Sequence, residues 1–97
     1  MIVEVADFRV DPKDHEAFGQ ALSRGVQTVL SQAQGYMTHS ILACIESPGR
    51  YLLTVHWKTL EDHMVGFRQS PAFADWRAII GPFFVQPPHV EHFTALE

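Results

Sequence analysis

Cysteine is almost absent from this 97-residue chain: Cys44 stands alone, so no intrachain disulfide can staple the fold, and the thiol fits a reducing compartment. Basic residues are scarce as well. Seven Lys and Arg face eleven Asp and Glu, a formal charge of −4, which leaves no cationic footprint for a phosphate backbone and excludes nucleic acid as a partner. No apolar run reaches the roughly 20 residues needed to span a bilayer. Met1 to Val10 mixes acids with apolar residues, unlike the basic start and apolar block of a secretion signal. These absences predict a soluble cytoplasmic protein with no membrane partner. Glycine-rich phosphate loops, paired-carboxylate spacings and nucleophile and base motifs are missing too.

What the chain has is apolar bulk. It is 46% hydrophobic and holds seven Phe, two Trp and two Tyr, enough for a real core. At this length, residues 1–97 form one domain, since two halves could not each bury a core. So short a domain buries a modest share of its surface, which favours pairing with a second copy.

Ile2 to Val10 sets apolar side chains on both parities and predicts a strand covered on both faces. Asp11-Pro12 then caps a helix whose stripe is Phe18, Ala21, Leu22, Gly25, Val26, Val29 and Leu30, closed by Gly35, with His15 on its polar, solvated side. Tyr36–Glu46 and Tyr51–Trp57 make a hairpin around Ser47-Pro48-Gly49. Thr59, with Asp62 three residues on, starts a second helix, which Ser70-Pro71 breaks near Gln69 and restarts through about Ile80. Gly81-Pro82 stops it, and His89 to Ala95 is the last strand. The order β-α-β-β-α-β predicts an α+β, ferredoxin-like antiparallel sheet with both helices on one face, leaving the other face for a partner subunit.

Six histidines raise the question of a metal, and spacing answers it. His89 and His92 fall on opposite faces of a strand, and a turn at Pro48-Gly49 sets His39 near Trp57 and His56 near Ser40, on opposite faces again. No metal site is expected. His63 shares a helical face with Leu60 and Phe67, which points it at the sheet as a base or hydrogen-bond donor, or as a packed histidine satisfied by a carbonyl. His92 has the same two readings, depending on which sheet face it takes. Trp57, Phe67, Phe73, Trp76, Phe83 and Phe84 are core material that can also wall a pocket for a flat apolar molecule. Arg77, one turn beyond Phe73, can bring a guanidinium to a phenolate or carboxylate at the rim. Arg68 fits better as a solvated arginine.

The run Trp57-Lys58-Thr59-Leu60-Glu61-Asp62-His63, followed by Phe67-Arg68-Gln69-Ser70-Pro71-Ala72-Phe73, resembles the antibiotic biosynthesis monooxygenase family of dimeric α+β barrels. Gly35-Tyr36, Pro48-Gly49 and the ending Val90-Glu91-His92-Phe93 resemble it too. The resemblance implies a homodimer with a pocket between sheet and helices in each subunit. It suggests oxygen chemistry, and joined to the residues above it gives a cofactor-free monooxygenase or related enzyme acting on a small aromatic phenol or quinol without flavin, haem or metal. On the reading of the residues themselves, His63 and Arg77 would be catalytic, and Trp57, Phe67, Phe73, Trp76, Phe84 and His92 would hold the substrate. The haem-degrading branch is excluded, because its tryptophan falls on Phe67, its axial histidine on Arg77 and its first-strand asparagine near Asp7 or Phe8. Many members carry a histidine near Gly66, one turn after His63, so the candidacy of His63 rests on its own helical face. A dimeric module that holds a small hydrophobic or stress-related ligand without chemistry is the alternative. A domain whose aromatics fill the cavity and which serves only assembly is the third.

Overall fold

The computed structural model describes residues 1–97. Strand β1 (Ile2–Arg9) is followed by helix α1 (His15–Thr28), strands β2 (Tyr36–Ala43) and β3 (Arg50–Trp57), helix α2 (Pro71–Ile80) and strand β4 (His89–Thr94). The sheet order is β2-β3-β1-β4 and every neighbouring pair is antiparallel, which makes the α+β ferredoxin-like arrangement the sequence predicts. No helix is long and apolar enough to cross a membrane.

Parity along the central strands fixes the two faces. On β1 Glu4, Ala6, Phe8 and, just beyond it, Val10 are buried, as are Tyr51, Leu53, Val55 and Trp57 on β3. These meet Phe18, Leu22, Val26 and Leu30 of the first helical segment and Trp76 and Ile80 of α2 in one core. The opposite face carries Val3, Val5, Leu42, Leu52 and Phe93 with no helix over it, and Leu42 and Phe93 are each 51% exposed. The two-faced apolar character of β1 is thus real, but this chain covers only one of the faces.

Local differences from the sequence reading have identifiable causes. Asp11 does cap, accepting from the Lys13 amide at 3.0 Å, but the first turn is 3-10 and α1 proper begins at His15. His15 is not simply solvated. Its Nδ1 accepts the Gly49 amide at 2.9 Å and its ring lies 4.7 Å from that of Tyr51, so it ties the β2–β3 loop to α1. Gly49 has φ +86°, and an added Cβ would strike the Val10 carbonyl, so the turn requires glycine there. The β2–β3 pairing sets His39 opposite Val55 and His56 opposite Thr38, two residues from the expected register, although the two rings still diverge; a further irregularity separates Tyr36 from Thr38. Ser70 does not cap α2. Its hydroxyl donates instead to the Phe67 carbonyl at 2.7 Å, satisfying the end of the preceding turn, while Pro71 opens α2 as expected.

Candidate functional site

The break in the second helical region builds the site. Thr59 Oγ1 accepts the Asp62 amide at 3.1 Å, and the chain then widens into a π-helical turn over Asp62–Phe67, closed by the Arg68 amide donating to the His63 carbonyl at 2.9 Å. Such single π turns often occur at functional sites. Within this turn His63 and Phe67 face inward, at 4% and 3% exposure, whereas Leu60, just ahead of it, is 41% exposed and does not share their face.

Beneath His63 lies a residue that the sequence reading passed over. Glu4 occupies an inward position on β1 and is 6% exposed. Its Oε1 accepts the indole N–H of Trp57 at 2.9 Å and stands 3.3 Å from His63 Nε2. The other ring nitrogen of His63, Nδ1, is 2.7 Å from His92 Nε2, because β4 pairs His92 directly with Glu4. His92 therefore faces the helices and not the open face. Trp57 stacks on His63 with centroids 5.0 Å apart and an interplanar angle of 18°, and Phe67 lies beside both, 6.0 Å from the indole and 6.4 Å from the His63 ring.

A cavity of about 440 Å³ opens between α2, the chain leading into β4 and the β1 side of the sheet. Glu4 and His63 form its floor, Phe67, Phe73, Trp76 and Phe84 its aromatic walls, and Arg68 and Arg77 its cationic rim. Six of the eight candidate residues thus share one cavity: His63, Arg77, Phe67, Phe73, Trp76 and Phe84. Trp57 and His92 do not line it. They stand behind Glu4 and His63 and reach the cavity only through them. The guanidiniums of Arg68 and Arg77 lie 5.5 and 5.9 Å from the Phe73 centroid, and neither has a carboxylate within ion-pair distance.

Electrostatics separate the buried groups. Burial pushes the Glu4 carboxyl up to about 7, against the opposing pull of the Trp57 N–H and the Arg68 charge. Burial pushes His63 down to about 4, helped by His92 and Arg68. His92 is lowered by burial and by Arg68. The close Glu4 and His63 pair, 3.3 Å apart, is therefore neutral on both sides at mildly acidic pH and not an ion pair. The group that changes charge near neutrality is the carboxyl. Arg68, which the sequence reading leaves in solvent, is the cation whose field reaches all three.

The family is settled by comparison. The sequence model for antibiotic biosynthesis monooxygenases matches residues 1–79, and the chain belongs to that family. The uncharacterised protein YczJ of Bacillus subtilis is 39% identical over 93 residues, covering 96% of this chain and 97% of its own. A candidate antibiotic biosynthesis monooxygenase of known structure from Bordetella bronchiseptica is 34% identical, with a TM-score of 0.91 over 99% of this chain and 97% of its own. The ActVA-Orf6 monooxygenase of Streptomyces coelicolor, solved in complex with nanaomycin D, shares the fold at 21% identity, with a TM-score of 0.83 over 99% of this chain and 88% of its own.

Proposed function

We propose that this protein is a monooxygenase that acts on a small aromatic phenol or quinol without a cofactor, with Glu4 as the base that activates the substrate. The observation that carries this reading is a carboxyl held near neutral pKa on the floor of an aromatic cavity whose rim is cationic. A base works best when its pKa lies near the working pH, and burial has moved Glu4 there. The resulting phenolate is held by Arg68 and Arg77, whose guanidiniums have no carboxylate of their own. Family membership and the fold shared with a monooxygenase solved in complex with nanaomycin D support the choice of reaction.

The chemistry balances without a further reductant. A phenol with hydrogen at its para carbon loses a proton to Glu4, and the electron-rich anion passes an electron to dioxygen. Recombination forms a carbon–oxygen bond. Cleavage of the peroxide leaves one oxygen on the ring as a quinone carbonyl and releases the other as water with the two hydrogens lost by the phenol. The walls exclude water from the anion, and the rim arginines stabilise charge as it develops. Oxygen uptake with a panel of naphthols, hydroquinones and anthrones tests the reading. Uptake with incorporation of one labelled oxygen atom is expected for at least one of them. Tight binding with no uptake across the panel would instead favour a ligand-holding module.

The same proposal includes a homodimer. The helix-free face with Val3, Val5, Leu42, Leu52 and Phe93 is an apolar surface of the kind a second copy covers. Equilibrium sedimentation at micromolar concentration is expected to give about twice the 11.0 kDa chain mass, and Leu52→Lys to give a monomer. A wild-type protein that sediments at the chain mass defeats this part of the reading.

A further inference from the structure

We propose that Glu4, His63 and His92 form a proton wire that connects the cavity floor to the edge strand β4. Three observations carry it: the carboxyl Oε1 lies 3.3 Å from His63 Nε2, His63 Nδ1 lies 2.7 Å from His92 Nε2, and exposure increases from Glu4 and His63 to His92. The inference rests on the reading of Glu4 as the base. A base closed in beneath its substrate must be ionised before the phenol can give up its proton, and substrate then fills the cavity above it.

The two histidines offer a route that needs no ring rotation. When Glu4 is neutral, its O–H points to His63 Nε2, His63 Nδ1–H donates to His92 Nε2, and His92 Nδ1 carries the remaining ring proton. When His92 Nδ1 releases that proton, His92 Nε2 takes one from His63 Nδ1 and His63 Nε2 takes the one on Glu4. One proton leaves at the edge of the sheet and Glu4 is ionised again. Both rings stay neutral throughout and both change from the Nδ1–H to the Nε2–H tautomer. Every link remains occupied in both states. Burial and Arg68, which follows the π turn, favour neutral rings; the other titratable groups near the wire are Arg77 on α2 and, on β4, His89 at the cavity wall, 2.9 Å from Glu91. The stacked Trp57 holds the His63 plane, and its N–H fixes the carboxyl.

The wire makes a prediction that needs no substrate. In protein labelled with nitrogen-15 in its histidines and carbon-13 in its glutamate carboxyls, NMR spectra between pH 5.5 and 8.5 follow both ends at once. The expected result is that the protonated and bare nitrogens of His63 and of His92 exchange places, with the same midpoint as the Glu4 carboxyl. In Glu4→Gln both rings should keep one tautomer across the range. If Glu4 titrates near neutrality while either ring keeps its tautomer, the wire is wrong and the base reading survives. If the Glu4 carboxyl shows no titration in this range, the base reading falls and the wire with it.

Discussion

Glu4→Gln is expected to lower turnover of an oxygen-consuming phenol by roughly a hundredfold to ten-thousandfold, the range in which general bases contribute. The amide keeps the shape of the side chain and its oxygen still accepts the Trp57 indole N–H, so the fold and the cavity should persist. What it removes is the one group on the cavity floor that can take a proton near neutral pH. His63 cannot replace it, because its pKa, pushed down to about 4, makes it a poor base at neutral pH. The pH profile gives a second readout. With Glu4 near 7, kcat/KM in the wild type should rise with pH up to about 7 and level off above, since only the ionised carboxylate is competent. In Glu4→Gln that limb should disappear from whatever activity remains. A variant with wild-type turnover would show that the carboxyl is structural. A loss confined to KM would place it in substrate binding.

The fold was legible in the sequence because its signals are local and redundant. Pro71, the positive-φ glycines at Gly35 and Gly49, and the β-branched and aromatic runs of β1 and β3 each define an element independently of the others. The aromatic wall was legible for a related reason: large apolar side chains on α2 and on the turn before it can only pack against the sheet. Glu4 was not, although its parity offered a signal. It sits in step with Ala6, Phe8 and Val10, the inward set, so an acid there is a carboxyl pointed into a core. That reading requires knowing which parity faces the helices. In a strand apolar on both sides, only the tertiary structure decides. The wide π turn was hidden for a different cause. Nothing in Asp62–Phe67 distinguishes an i to i+5 hydrogen bond from the ordinary one. The closeness of His63 and His92 depends on the pairing of β4 with β1, a contact between the two ends of the chain that no local pattern encodes.

The stability of the folded chain should respond to pH in opposite directions when the two halves of the buried pair are removed one at a time. In the wild type between about pH 4.5 and 6.5, the native state keeps Glu4 protonated and His63 neutral, whereas the unfolded chain has an ionised Glu4 and a protonated His63. Each state then holds one proton on the pair, and the pair adds no slope to the stability curve. Glu4→Gln leaves only His63, which binds fewer protons folded than unfolded. Stability should therefore rise with pH between about 4 and 6.5, relative to wild type, with a slope of up to about 1.4 kcal/mol per pH unit. His63→Phe, which keeps a ring against Trp57, leaves Glu4 binding more protons folded than unfolded. Its stability should fall as pH rises from about 4.5 to 7, by about 3 kcal/mol in total when the shift of Glu4 is converted at 1.36 kcal/mol per unit. Urea melts of the three proteins at half-unit pH steps and constant ionic strength measure the differences. The surface carboxylates are common to all three and cancel in the comparison. Parallel curves for all three would mean that neither group is shifted by burial, and that the cavity floor is wetter than its packing indicates.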